Sequence, residues 1–139
     1  MRTILITGAS GGLAQEMVKL LPNDQLILLG RNKEKLAQLY GNHLNVEWIE
    51  IDITDDSALE ALVADLYLRY GKIDVLINNA GYGIFEDFDQ ISVQDIHQMF
   101  EVNTFALMNL SRRIVCRMKE SRKGHIINIV SMAGLIATG

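Results

Sequence analysis

The sequence predicts an α/β fold in which a doubly wound parallel sheet is flanked by helices. Short apolar runs of strand character alternate with helical patterns along nearly all of the chain. These runs are apolar at almost every position, which is typical of parallel strands that helical crossovers bury on both faces. Because such crossovers are right-handed, we expect a ligand beyond the carboxyl ends of the strands, where the strand order reverses.

The elements follow one another in a regular order. The predicted strands are Thr3 to Ile6, Gln25 to Leu29, Val46 to Ile51, Val75 to Ile77 and His125 to Val130. The predicted helices are Gly12 to Leu21, Lys33 to Tyr40, Ser57 to Tyr70 and one or two helices between Val93 and Glu120. The basic tract Ser111 to Lys123 is expected to form a solvated helix end, since cations are favourable at a helix C-terminus.

Length and composition indicate one compact unit. With 139 residues, 49% of them hydrophobic, the chain can bury enough surface for one core, so residues 1–139 are expected to form a single domain. No run of about eighteen apolar residues occurs, and the start MRTILITG enters a strand pattern directly, so we expect no membrane span, no signal peptide and a cytoplasmic location. The net charge of -4 gives no indication of a broad positively charged surface that would bind nucleic acid. The lone Cys116 is expected to be a buried, inert thiol.

A glycine turn, TGASGGLA at Thr7 to Ala14, links the first strand to the first helix. Gly8 permits a tight turn, and the helix N-terminus offers free N–H groups and a partial positive charge to a pyrophosphate. Gly12 and Ala14 would let the helix lie close to the strand. Glycines at such a junction can also be purely structural, so the turn alone leaves both interpretations open.

The end of the second strand favours NADP(H) over NAD(H). Dinucleotide sites that bind a free ribose 2′-hydroxyl place an Asp or Glu about twenty residues after the glycines. Here the sequence is LLGRNKEKL, with no carboxylate between Leu28 and Arg31. Arg31 could bind a 2′-phosphate with two hydrogen bonds, although an Arg at this place could also make surface contacts only. The missing acid also counts against a methyltransferase that uses S-adenosylmethionine.

Four further motifs accompany the glycine turn: IDITD at Ile51 to Asp55, LINNAG at Leu76 to Gly81, EVN at Glu101 to Asn103, and GHIINIVSMAG at Gly124 to Gly134. Together they resemble the short-chain dehydrogenase/reductase family, compact branch, over essentially all 139 residues. The resemblance implies a Rossmann sheet with strand order 3-2-1-4-5. It also implies an oxidoreductase that transfers hydride between a nicotinamide cofactor and a small carbonyl or alcohol substrate.

The resemblance and the residue chemistry together give a candidate cofactor site. Its residues are Gly8, Ser10, Gly11, Gly12, Leu13, Arg31, Asp52, Ile53, Asn79, Ala80 and Gly81. Asp52 could accept a hydrogen bond from the adenine amino group while Ile53 packs on the ring, or Asp52 could cap the next helix. Asn79 and its neighbour Asn78 can satisfy loop backbone and let the cofactor ribose approach closely.

Two residues are predicted to act in catalysis. Ser131, after the fifth strand, could donate a hydrogen bond to a substrate oxygen as negative charge develops there. Asn103 lies inside a helical pattern where an amide is a mediocre helix former, so a kink is expected, although the residue by itself also fits an ordinary polar helix position. In the family this Asn distorts the helix and holds a water in a proton relay. No metal is expected, because neither His97 nor His125 has a ligand partner at useful spacing.

The family's proton donor, a Tyr followed four positions later by a Lys, has no match among the tyrosines of this chain. We therefore expect the chain to be the N-terminal part of the fold, cut before the last family strands, and to show no useful turnover. The fifth strand would then be an exposed apolar edge, so self-association or poor solubility is expected. The resemblance implies a homo-oligomer, a dimer or tetramer, for the complete protein. The alternative function is a non-catalytic nucleotide-binding or regulatory fragment.

Overall fold

Strands and helices alternate as the apolar pattern predicts. The computed structural model describes residues 1–81 and 88–129. The strands are β1 (Thr3–Ile6), β2 (Gln25–Gly30), β3 (Val46–Glu50), β4 (Val75–Asn78) and β5 (His125–Asn128). The helices are α1 (Gly12–Leu20), α2 (Lys33–Tyr40), α3 (Asp56–Tyr70), α4 (Val93–Phe100) and α5 (Leu107–Ser121). Predicted and observed ends differ by one or two residues at most, and the predicted strand end at Val130 lies outside the described residues.

The five strands form one parallel sheet in the order β3-β2-β1-β4-β5, as predicted. In the centre of the sheet, Leu5 of β1 lies beside Ile27 of β2 and Leu76 of β4. The chain leaves β1 toward β2 on one side and later returns to β4 on the other side. The order therefore reverses between β1 and β4, and this reversal opens a crevice at the carboxyl ends of those strands.

The core consists of two apolar layers, one on each face of the sheet. On one face Leu5, Ile27 and Leu76 pack with buried residues of α3 and α5. On the other face Ile4 and Leu26 pack with buried residues of α1 and α2. The three central strands β1, β2 and β4 are thus buried on both faces, as a parallel sheet with helices on each side requires.

The two edge strands do not fit the expectation that every strand is buried on both faces. Most of β3 is half-buried and most of β5 is exposed, because each has a neighbouring strand on one side only. Among the described residues the outer edge of β5 pairs with no strand. An unpaired apolar edge favours association, so the self-association expected from the sequence stays a prediction.

The helical stretch from Val93 to Ser121 is continuous, and its middle is distorted. A π-helical segment, Glu101–Ala106, joins α4 to α5 and contains Asn103. The expected distortion at Asn103 is therefore confirmed, and it takes the form of a widened turn. Such turns are frequently found at functional sites in proteins.

The expectation that Cys116 is a buried thiol is wrong, because its side chain is exposed. The buried face of α5 carries Leu110, Ile114 and Met118, which recur every four residues. Cys116 lies two residues from Ile114 and Met118 and so points away from that face.

No helix within the described ranges has the length and apolar character needed to cross a membrane.

Candidate cofactor site

A cavity of about 200 Å³ opens at the carboxyl edge of the sheet, where the strand order reverses. Seven of the predicted cofactor residues line it: Gly8, Ser10, Arg31, Asp52, Ile53, Ala80 and Gly81. These residues come from the ends of four strands that are far apart in sequence. The fold therefore brings the glycine turn, the basic residue after β2 and the motifs after β3 and β4 to one place.

Gly8 is required by the close approach of two turns. Its φ of 65° lies in the left-handed region, and a Cβ at this position would lie 2.8 Å from the Ala80 Cα and from the Asn79 carbonyl oxygen. Side chains of other residues hold the same contact. Thr7 Oγ1 accepts hydrogen bonds from the N–H groups of Asn79, at 3.0 Å, and Ala80, at 2.8 Å. Asn79 Nδ2 donates to the Gly8 carbonyl oxygen at 3.2 Å.

Thr7 is a site residue that the sequence analysis missed. It is 2% exposed, and its hydroxyl joins the turn after β1 to the turn after β4. The available signal was a hydroxyl residue at the start of the glycine turn, directly after a buried strand. That signal is weak, because a Thr at a strand end has many possible partners.

The N-terminus of α1 is left without a side-chain cap. Gly11 occupies the N-cap position and makes no such hydrogen bond, while Gly11, Gly12 and Leu13 are exposed. The first N–H groups of a helix have no partner inside the helix, so they are available here to an anion. Gly11, Gly12 and Leu13 do not line the cavity itself but lie beside it on the helix that follows the turn.

One part of the glycine prediction is wrong. A Cβ on Gly12 would meet no atom within 4 Å, so close packing of α1 on the sheet does not require a glycine there. Ala14 is fully buried and does make the contact that was expected of it. The difference arises because Gly12 faces solvent at the helix start, whereas Ala14 faces β1 and β2.

Arg31 is exposed at the mouth of the cavity, directly after β2. Among the described residues no carboxylate forms an ion pair with it. A carboxylate of the neighbouring strand β3 lies at the start of the next helix, since Glu50 Oε2 accepts the backbone N–H of Lys33 at 2.8 Å. Glu50 thus occupies the N-terminus of α2, and the sequence analysis did not identify it. Its position directly before the IDITD motif was the available signal.

Asp52 does not cap α3. Asp55 does so, accepting the N–H of Ala58 at 3.1 Å. Asp52 Oδ1 instead accepts hydrogen bonds from the Thr54 N–H at 3.0 Å and from Thr54 Oγ1 at 2.7 Å. These bonds, and to a smaller extent the Arg31 cation, hold the pKa of Asp52 below its ordinary value. Asp52 is therefore an ionised acceptor on the cavity wall, next to the 8% exposed Ile53.

The turn after β4 brings Asn103 to the same edge of the sheet. A Cβ on Gly81 would lie 3.0 Å from Asn103 Oδ1, so the π segment touches this turn. Asn78, 1% exposed, donates from Nδ2 to Ser111 Oγ and Asn128 Oδ1, both at 2.9 Å, and so fixes β4 to α5 and β5. Ser131, the other predicted catalytic residue, lies outside the described residues.

A larger cavity, of about 400 Å³, lies at the opposite edge of the sheet. Residues from the C-terminal ends of α3 and α5 line it, and none of the predicted site residues does. Size alone therefore does not identify the cofactor site, whereas the chemistry of the lining does. The described residues contain no group of three or more His, Cys, Asp or Glu side chains that could hold a metal ion.

Comparison with known proteins identifies the family. The family model for short chain dehydrogenases matches residues 2–138. The NADP-dependent 3-hydroxy acid dehydrogenase YdfG of Shigella flexneri is 32% identical over 137 residues, which cover 94% of this chain and 54% of that protein. The crystal structure of serine dehydrogenase from Escherichia coli is 30% identical with a TM-score of 0.91, covering 99% of this chain and 65% of that one.

A structure of the closed form of serine dehydrogenase complexed with NADP+ gives the same TM-score of 0.91 at 30% identity, covering 99% of this chain and 57% of that one. The chain spans about half the length of the curated relatives that it matches. The match to the family model, the strand order and the motifs at the carboxyl edge all agree. The chain belongs to the short-chain dehydrogenase family.

Proposed function

We propose that this chain provides the NADP(H)-binding domain, residues 1–139, of an oxidoreductase that transfers hydride between nicotinamide and a small carbonyl or alcohol substrate. One observation carries the proposal: a single cavity joins the glycine turn to a cation after β2 and to an ionised Asp after β3. A pyrophosphate, a 2′-phosphate and an adenine require these three kinds of group at one site.

The residues present fit a dinucleotide. Gly8 lets the turn after β4 lie directly against the glycine turn, and the uncapped N-terminus of α1 offers N–H donors to a pyrophosphate. Asp52, ionised and accepting, would receive a hydrogen bond from the adenine amino group, and Ile53 would pack on the ring. Asn79, Ala80 and Gly81 of the turn after β4 would bind the cofactor ribose.

The preference for NADP(H) rests on Arg31. Its guanidinium lies at the mouth of the cavity, forms no ion pair with a carboxylate among the described residues, and can bind a phosphate with two charge-assisted hydrogen bonds. The S. flexneri relative is NADP-dependent by its name, and a similar structure contains NADP+. Glu50 at the N-terminus of α2 opposes this preference, because its negative charge would repel a 2′-phosphate.

When bound, the nicotinamide ring would supply or accept the hydride. The chain's own contribution to catalysis is proposed from the family pattern. Ser131 would donate a hydrogen bond to the substrate oxygen as it becomes negative. Asn103, in the π segment beside Gly81, would hold a water for proton transfer.

The experiment that tests this function is a titration of NADPH and NADH against the parent and an Arg31→Ala variant. Loss of two charge-assisted hydrogen bonds to phosphate should cost about 1.5 to 3 kcal/mol, so the Kd for NADPH should rise about ten- to a hundredfold while that for NADH changes little. Arg112→Ala on the exposed side of α5 is the matched control. Tighter binding of NADH than of NADPH by the parent contradicts the assignment.

The alternative, a nucleotide-binding or regulatory fragment without catalysis, makes a different prediction. It requires the same cofactor affinity but no turnover in any chain that contains these residues. Assays of NADPH oxidation with aldehydes, ketones and ketoesters distinguish the two functions. Turnover that a Ser131→Ala change reduces sharply, with NADPH affinity unchanged, supports the oxidoreductase.

A further inference from the structure

Tyr40, the last residue of α2, makes a hydrogen bond to the glycine turn that the proposed site does not yet explain. The side chain is 3% exposed, and its hydroxyl donates to the Ala9 carbonyl oxygen at 2.6 Å. The ring packs in the apolar layer with Leu36 and other residues of that face. A hydroxyl buried among apolar side chains is costly without a partner, so this hydrogen bond is a fixed feature of the fold.

Ala9 is held by both of its backbone polar groups. Its N–H donates to the Leu29 carbonyl oxygen of β2 at 3.0 Å, and its carbonyl accepts from Tyr40. The next N–H along the chain, that of Ser10, belongs to the same peptide plane as the Ala9 carbonyl. In a trans peptide these two groups point in opposite directions, and the described residues contain no cis peptide bond.

The orientation of the Ser10 N–H follows from this geometry. Because the Ala9 carbonyl points at a buried hydroxyl, the Ser10 N–H points away from the apolar layer. Ser10 lines the cavity, and no described residue accepts a hydrogen bond from its N–H. The Tyr40 hydroxyl thus sets the direction of a backbone donor that is available to a ligand.

We propose that Tyr40 is a positioning residue that aims the Ser10 N–H at the pyrophosphate of the dinucleotide. The inference rests on the proposed function and deepens it. Without the hydroxyl, the Ala9–Ser10 peptide loses the contact that fixes its rotation, and the donor loses its direction. The effect is confined to the phosphates held by the glycine turn, because Arg31 follows β2 and is separate from that turn.

The test compares three probes on the parent chain and on Tyr40→Phe, which removes only the hydroxyl. The probes are NADPH, inorganic pyrophosphate and adenosine 2′-monophosphate, which carries the 2′-phosphate but no pyrophosphate. One lost hydrogen bond should weaken NADPH and pyrophosphate about three- to tenfold and leave adenosine 2′-monophosphate unchanged. The matched control is Tyr70→Phe, which removes a hydroxyl that donates to Glu47, away from the turn, and should affect none of the probes.

The results separate this inference from the proposed function. The role of Tyr40 is overturned if Tyr40→Phe binds pyrophosphate as tightly as the parent does, or if neither chain binds it detectably. An equal loss of affinity for adenosine 2′-monophosphate overturns it too, because that result would indicate a general structural effect. A parent that binds pyrophosphate but not NADPH overturns the proposed function, while the pyrophosphate comparison still decides the role of Tyr40. If Tyr40→Phe does not fold, the parent alone tests whether the Ser10 N–H is aimed at the pyrophosphate. The amide resonance of Ser10 must then shift when pyrophosphate is added, and a resonance that does not shift overturns the inference.

Discussion

Replacing Gly8 by Ala should destabilise the fold, whereas the same change at Gly12 should not. Both glycines belong to the glycine turn, where the sequence predicts a tight turn at Gly8 and close packing of the helix on the strand at Gly12. In the structure a Cβ on Gly8 would lie 2.8 Å from the Ala80 Cα, while a Cβ on Gly12 would have no atom within 4 Å. Carbon atoms that are not bonded prefer separations of about 3.5 to 4.0 Å, so only the first variant requires atoms to move.

The magnitude for Gly8→Ala combines two costs. An L side chain at a φ of 65° costs about 1 to 2 kcal/mol, and forcing extra atoms into a packed site costs about 1 to 3 kcal/mol. Movement of the Asn79–Ala80 backbone would relieve the overlap, but the Thr7 hydroxyl holds both N–H groups of that segment. The expected loss in free energy of unfolding is therefore about 2 to 5 kcal/mol, a large share of the stability of a typical domain.

Urea unfolding, followed by far-UV circular dichroism and by the fluorescence of the single Trp48, measures the difference. With a typical dependence of about 2 kcal/mol per M, the midpoint for Gly8→Ala should fall by about 1 to 2.5 M. Gly12→Ala should leave the midpoint unchanged or raise it slightly, because Ala favours the helix by up to about 1 kcal/mol. Equal midpoints for the two variants would refute the reasoning.

Two further predictions concern carboxylates of β3. Glu50→Gln should lower the Kd for NADPH about two- to fivefold and change the Kd for NADH little, because one exposed charge near a phosphate is removed. The effect should be smaller at high salt, and the remote Glu60→Gln should leave both Kd values unchanged. Glu47 is the second case: hydrogen bonds from Arg69 hold the pKa of its carboxyl below the ordinary 4.5. A lowered folded-state pKa stabilises the fold at pH values above the ordinary pKa, and this stabilisation is lost as the pH falls through the folded-state pKa. Between about pH 6 and pH 3 the midpoint of urea unfolding should therefore drop less for Glu47→Gln than for the parent. An identical drop in both chains would contradict the assignment.

Local sequence patterns were enough to predict the strands, the helices and part of the candidate site. The apolar runs placed all five strands within two residues of their observed ends, and the spacing of apolar residues placed the helices. The glycine turn and Arg31 were identified because each directly follows a strand, and the carboxyl ends of parallel strands meet at one edge. The resemblance to the family supplied the strand order, which the short apolar runs alone leave open.

Tertiary structure decided which residues of these patterns make contacts. Thr7 bonds to a turn 72 residues away, Tyr40 to one 31 residues away, and Glu50 to a helix start 17 residues away. A sequence period of two or about four residues carries no information on partners at such distances. The same reason separates Gly8 from Gly12, because the need for a glycine depends on which distant backbone approaches it, and only the folded chain brings that backbone close.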